Sequence, residues 1–195
     1  MFNLATSFEY KGKVINIDLR YTIVLKVFDL YREDIFTDVE KINLAFDLLT
    51  IDAPKFKVPD KAEIVQRIFA DFITIEAYGK PKEASPRTYD FKQDAGLIYA
   101  AFMQDYGIDL TVTELDWRKF MALFMGLSDT TKIKEVMGIR GRKIPAATKY
   151  NRDEIKMLQE LKSIYRLKQD DGDFQAGLDK FAQRLTRMAG VDRNG

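Results

Sequence analysis

The side chains able to do chemistry in this chain are carboxylates and little else. Its 195 residues include no cysteine and no histidine. That removes disulfides, thiol nucleophiles, Ser-His-Asp triads, imidazole switching near neutral pH and zinc-finger ligand sets together. What remains is paired Asp or Glu for glycoside hydrolysis, or an oxygen-only site for magnesium or calcium. The densest acidic run, QDDGD at 169–173, lacks the D-x-D-x-D-G spacing and the later bidentate Glu of a calcium loop. It reads as a solvated turn between helices. GIRGRK at 138–143 has neither the spacing nor the strand context of a phosphate-binding loop. The expectation is a non-enzymatic chain with no catalytic residue, no metal and no cofactor.

Binding chemistry is better represented. GIRGRKIPAATKYNRDEIK, 138–156, holds six basic residues against two acidic ones. A nucleic acid, an acidic protein partner and plain solvation all fit such a run, but a formal net charge of +1 for the chain argues against a broad phosphate-binding field. Arg140, Arg142 and Lys143 are therefore candidates for contact with a protein. A second candidate is the seam Phe174, Leu178, Phe181, Leu185 and Met188, whose 4-3-4-3 spacing suits coiled-coil-like contact with one other helix. It could close within the chain, drive homo-oligomerisation or grip a partner helix. The third is DYGIDLTVTELDWRKFMALFMGL, 105–127, which contains the only tryptophan. Trp117, Phe120, Met121 and Phe124 share one side at helical spacing, which suits a buried core first, then a partner groove or a ligand pocket.

The elements that must position these residues are mostly helical. One strand signal stands out: in FEYKGKVINIDLR, Ile15, Ile17 and Leu19 alternate with Asn16, Asp18 and Arg20, which is period 2. A two-residue turn at Lys11 and Gly12 sets Phe8 opposite Ile15 and Glu9 opposite Val14, so one face of a hairpin is apolar. From about residue 20 the period becomes 3.6. Val24, Phe28 and Tyr31 mark a short helix. Ile35, Val39, Ile42, Phe46 and Leu49 mark a longer one ending before the Pro54–Pro59 loop, and Ile64–Val65, Ile68–Phe69 and Phe72–Ile73 a third. YGKPKEASPRTYD has the Gly, Pro and Ser of a linker. Beyond it, Leu97, Ile98, Ala101, Phe102 and Tyr106 form a stripe that Gly107 should terminate. Thr113 and Asp116 fit a capping box for the next helix, and Asn151 with Glu154 caps the one carrying Ile155, Leu158, Leu161 and Tyr165. The expected architecture is mainly α: a β-hairpin packed on helices over 1–78, a linker at 79–90, and an all-helical lobe over 91–195 ending in a helical hairpin.

No apolar run approaches the roughly 18–20 residues of a membrane span. MFNLATSFEY lacks a basic n-region, an apolar h-region and a cleavage site, which directs the expectation to the cytosol.

DAGLIYAAFMQDYGIDL (94–110) followed by LDWRKFMALFMGLSDTTKIKEVMGIR (115–140), with KVINIDLRYTIVLKVFDL near the N-terminus, resembles the bacteriophage family named after the fifteenth gene product of a Gram-positive temperate phage. Members resemble proteins encoded between the major tail protein and the tape-measure protein of long-tailed phages. The resemblance implies a tail-assembly chaperone in the host cytoplasm, holding the helical tape-measure protein soluble during tail morphogenesis. Other tail proteins are further partners it would imply, and a minor structural tail or connector protein retained in the virion is the alternative role. Seven Met and fourteen Phe offer the adaptable apolar surface such a binder needs.

Overall fold

A computed structural model describes residues 4–74 and 87–168. The seam Phe174, Leu178, Phe181, Leu185 and Met188, the QDDGD run and most of the expected linker lie outside these residues. The described chain falls into two compact units, one of 4–74 with 114–121 and the other of 87–113 with 122–168. It is mainly α, with one small antiparallel sheet in the first unit.

In the first unit β1 (Ser7–Tyr10) and β2 (Lys13–Ile17) form a hairpin in the register the alternation implies, Phe8 opposite Ile15 and Glu9 opposite Val14. Lys11 and Gly12 both take positive φ, 49° and 74°. That is the primed turn whose twist matches the strands, and the glycine takes its half of it without strain. A third strand, β3 (Thr50–Ile51), pairs with β2. At two residues it is too short to show as a period. Phe8, Ile15, Ile17 and Leu19 are buried.

Three helices complete this layer. α1 (Tyr21–Arg32) buries Val24 and Phe28, and α2 (Asp38–Leu49) buries Ile42, Phe46 and Leu49. The stripe expected to begin at Ile35 begins later, because Ile35 precedes the helix and is 78% exposed. A capping box fixes the start instead: Glu40 N–H donates to the Thr37 hydroxyl at 3.3 Å, and Thr37 N–H donates to the Glu40 carboxylate at 2.8 Å. It satisfies two orphan donors and leaves Ile35 outside. α3 (Val58–Ile68) buries Ile64, Val65 and Ile68 and runs into a π-helical stretch, Phe69–Ile73, where Thr74 N–H donates to Phe69 O at 2.8 Å.

The second unit contains α4 (Ala95–Tyr106), α6 (Lys132–Gly141) and α7 (Arg152–Ile164). α5 (Trp117–Met125) contributes residues 117–121 to the first unit and 122–125 to the second. α4 ends on Gly107 in the left-handed region, φ 63°, as its stripe implies. α5 does not start from a Thr113 cap. Asp116 is the capping residue, accepting Arg118 N–H at 2.9 Å, while Trp117 N–H donates to Leu19 O and Tyr21 N–H to Leu115 O. Those bonds hold 115–117 extended against 19–21 and delay the helix. α6 was not foreseen; only Ile133 and Val136 of it are buried, too few to set a period. α7 begins after Asn151 as expected, but the Asn151 side chain turns back into the preceding loop and makes no cap bond.

Candidate functional site

The aromatic stretch around the single tryptophan is packed inside its units. Trp117, Phe120, Met121 and Phe124 are all buried, as is Phe102 on α4. Phe28 meets the Trp117 ring edge-on at 5.4 Å, and Tyr21 stacks on Phe120 at 4.7 Å. The indole N–H donates to Ile73 O at 2.9 Å, so Trp117 closes the end of the π-helical stretch. In the second unit Tyr89 and Phe91 pack on Phe124 at 4.9 and 5.5 Å. Tyr89 lies within the expected linker and Phe91 just beyond it, so the end of that segment is packed on Phe124. Phe102 lies edge-on to Tyr106, whose hydroxyl donates to Leu123 O at 2.9 Å.

The carboxylates beside one groove of the first unit are paired with arginines. A groove of about 510 Å³ opens among Thr6, Ile17, Ile51, Leu115 and the triad Asp18, Arg20, Glu114. Arg20 bonds Asp18 at 2.7 Å and Glu114 at 2.9 Å, and Arg118 bonds Asp116 at 2.8 Å. Burial pushes the Asp18 and Asp116 pKa values up. The hydrogen bonds and charge of Arg20 and Arg118 outweigh it and leave both below the ordinary carboxylate value. Both are therefore ionised at neutral pH and hold no proton to give, which suits a structural ion network and not general acid catalysis.

The basic run divides by role. Arg140 is turned into the second unit: its side chain is 7% exposed and forms a bidentate pair with Asp94 at 2.6 and 2.9 Å. Its guanidinium also donates to Thr88 O at 3.0 Å and Tyr165 O at 2.6 Å. Asp94 in turn accepts Asp90 N–H at 2.9 Å. Arg140 thus joins α6, the start of α4 and the segments 87–90 and 165–166, and its head group is occupied within the unit. Arg142 and Lys143 are exposed, like every residue of 142–150. This loop is held in shape: Asn151 Oδ1 accepts Thr148 N–H at 2.7 Å, and Asn151 Nδ2 donates to Ala146 O at 3.0 Å.

Large apolar side chains accompany these cations. Tyr150 is 85% exposed, and on α7 Met157 is 62% and Ile164 71% exposed. Met157 and Ile164 are seven residues, about two turns, apart and share a side. Leu158, from the expected stripe, is the buried residue of α7. Met157 and Ile164 belong to no inward-facing period, and their place off that stripe was the signal available in the sequence.

The chain matches the family described as Bacteriophage Gp15 protein over residues 2–167. It belongs to that family. The Gp15 match takes in both described units, the aromatic helix α5, the loop 142–150 and α7, and it ends before the seam that begins at Phe174. No curated protein and no solved structure matches the chain.

Proposed function

We propose that this Gp15-family chain is a non-catalytic tail-assembly chaperone that binds the tape-measure protein in the host cytoplasm while the phage tail is built. The observation that carries this reading is the surface of the second unit, where a shaped, fully exposed basic loop leads into a helix showing Met157 and Ile164 to solvent. Exposed apolar side chains rimmed by charge are what a binder of helical chains requires. Membership of a bacteriophage family supports a phage role. The lack of His and Cys removes thiol nucleophiles and imidazole proton shuttles from any competing enzymatic role.

Coexpression with the tape-measure protein of the same phage tests this. The tape-measure chain should move from the insoluble to the soluble fraction and co-purify with this protein. Unchanged solubility with no co-purification would overturn the reading.

A further inference from the structure

The loop and α7 specify more than a generic binder. α7 (Arg152–Ile164) carries three basic and three acidic residues, so the positive excess of this surface lies in the loop before it. Within 142–152 there are four cations and no carboxylate. Exposed like charges gathered this way repel one another, and a partner of opposite sign relieves that repulsion. Interleaved with them are Ile144 and Tyr150, followed on α7 by Met157 and Ile164, all exposed. The Asn151 clasp to Thr148 and Ala146 and the fixed φ of Pro145 reduce the ordering cost of binding.

We propose that loop 142–152 and the exposed side of α7 form a docking surface for an acidic amphipathic helix of another protein. Its carboxylates would face Arg142 and Lys149, and its apolar stripe would cover Tyr150, Met157 and Ile164. That the helix comes from a tail protein rests on the function proposed above. The chemistry of the surface does not. An acidic helix is favoured over nucleic acid because three large apolar groups accompany the cations, and these have no counterpart in a phosphate backbone.

Fluorescence anisotropy with labelled synthetic helical peptides and the full chain tests this. The first peptide carries leucines at 3-4 spacing flanked by glutamates, the second replaces the glutamates by lysines, and the third replaces the leucines by serines. The first should bind, and the other two should bind at least tenfold more weakly. Combined Arg142→Glu and Lys149→Glu, and separately Met157→Gln with Ile164→Gln, should each weaken the first peptide at least tenfold with unchanged far-UV circular dichroism. These are surface positions, so folding should survive. Equal binding of all three peptides, or of the first to every variant, overturns the proposal. So does a single-stranded oligonucleotide that outcompetes the acidic peptide. Binding that emerges only after Phe181→Glu would make the chain's own terminal segment the occupant, and a dimer in light scattering lost on Ile164→Gln would make it a second copy; either result also overturns the proposal. Peptide binding without tape-measure rescue would retain this surface and remove the proposed function; the reverse would retain the function and remove this surface.

Discussion

Replacing Arg140 by Met should unfasten the second unit. In the variant Asp94, whose side chain is 3% exposed, keeps the Asp90 N–H bond but loses both guanidinium bonds. Thr88 O and Tyr165 O lose their shared donor as well. Removing one partner of a buried ion pair costs about 3–5 kcal/mol, because a desolvated charge is left uncompensated. Whole domains are stable by roughly 5–15 kcal/mol, so the loss is a large part of the total. Urea denaturation followed by circular dichroism measures it, and amide exchange by mass spectrometry locates it. Exchange should quicken in α4 and α6. Adding Asp94→Ala should recover at least about 2 kcal/mol of the loss, since removing both partners also removes the stranded charge. An Arg140→Met chain within about 1 kcal/mol of wild type would refute the assignment of Arg140 as a structural clasp.

Three further outcomes follow from particular contacts. Thr37→Ala removes the acceptor for Glu40 N–H at the start of α2 and should cost about 1 kcal/mol in urea denaturation; no change would mean the capping box is not formed in solution. Trp117→Phe strands the buried Ile73 carbonyl and should cost about 1–3 kcal/mol by circular dichroism, with faster exchange at 69–74; unchanged exchange there would contradict the closure of the π-helical stretch by the indole. The pKa values of Asp18 and Asp116 lie below the ordinary 3.8, so their stabilisation is fully present above that value and is lost as pH falls through the lowered folded values. The urea midpoint read by Trp117 should hold between about pH 7 and 5 and drop below about pH 4, and a midpoint constant down to about pH 2 would contradict it.

Where the sequence carried a strong period or a backbone requirement, it was legible. The hairpin register followed from Ile15 and Ile17 alternating with polar residues and from a turn that needs positive φ. Gly107 ended α4 for the same kind of reason. Elements set by long-range pairing were not legible. β3 exists because Thr50 and Ile51 meet Ile17 and Asn16, and the start of α5 is set by bonds from 115–117 to 19–21. Neither leaves a local trace. At the candidate surface, composition identified the basic run but could not separate Arg140, turned onto Asp94, from Arg142 and Lys143, turned to solvent, because charge type does not encode direction. Tyr150, Met157 and Ile164 were passed over although Met157 and Ile164 stand off the stripe of Ile155, Leu158 and Leu161, because an apolar side chain off one stripe can still be covered by another element.

The proposed transient role in assembly is tested most directly by quantitative mass spectrometry of infected-cell extracts and purified virions in parallel. In that role the chain should be recovered with the tape-measure protein in extracts and be far below stoichiometric in finished particles. A fixed whole-number ratio to the tail proteins in washed virions would contradict it and make the chain a retained structural component.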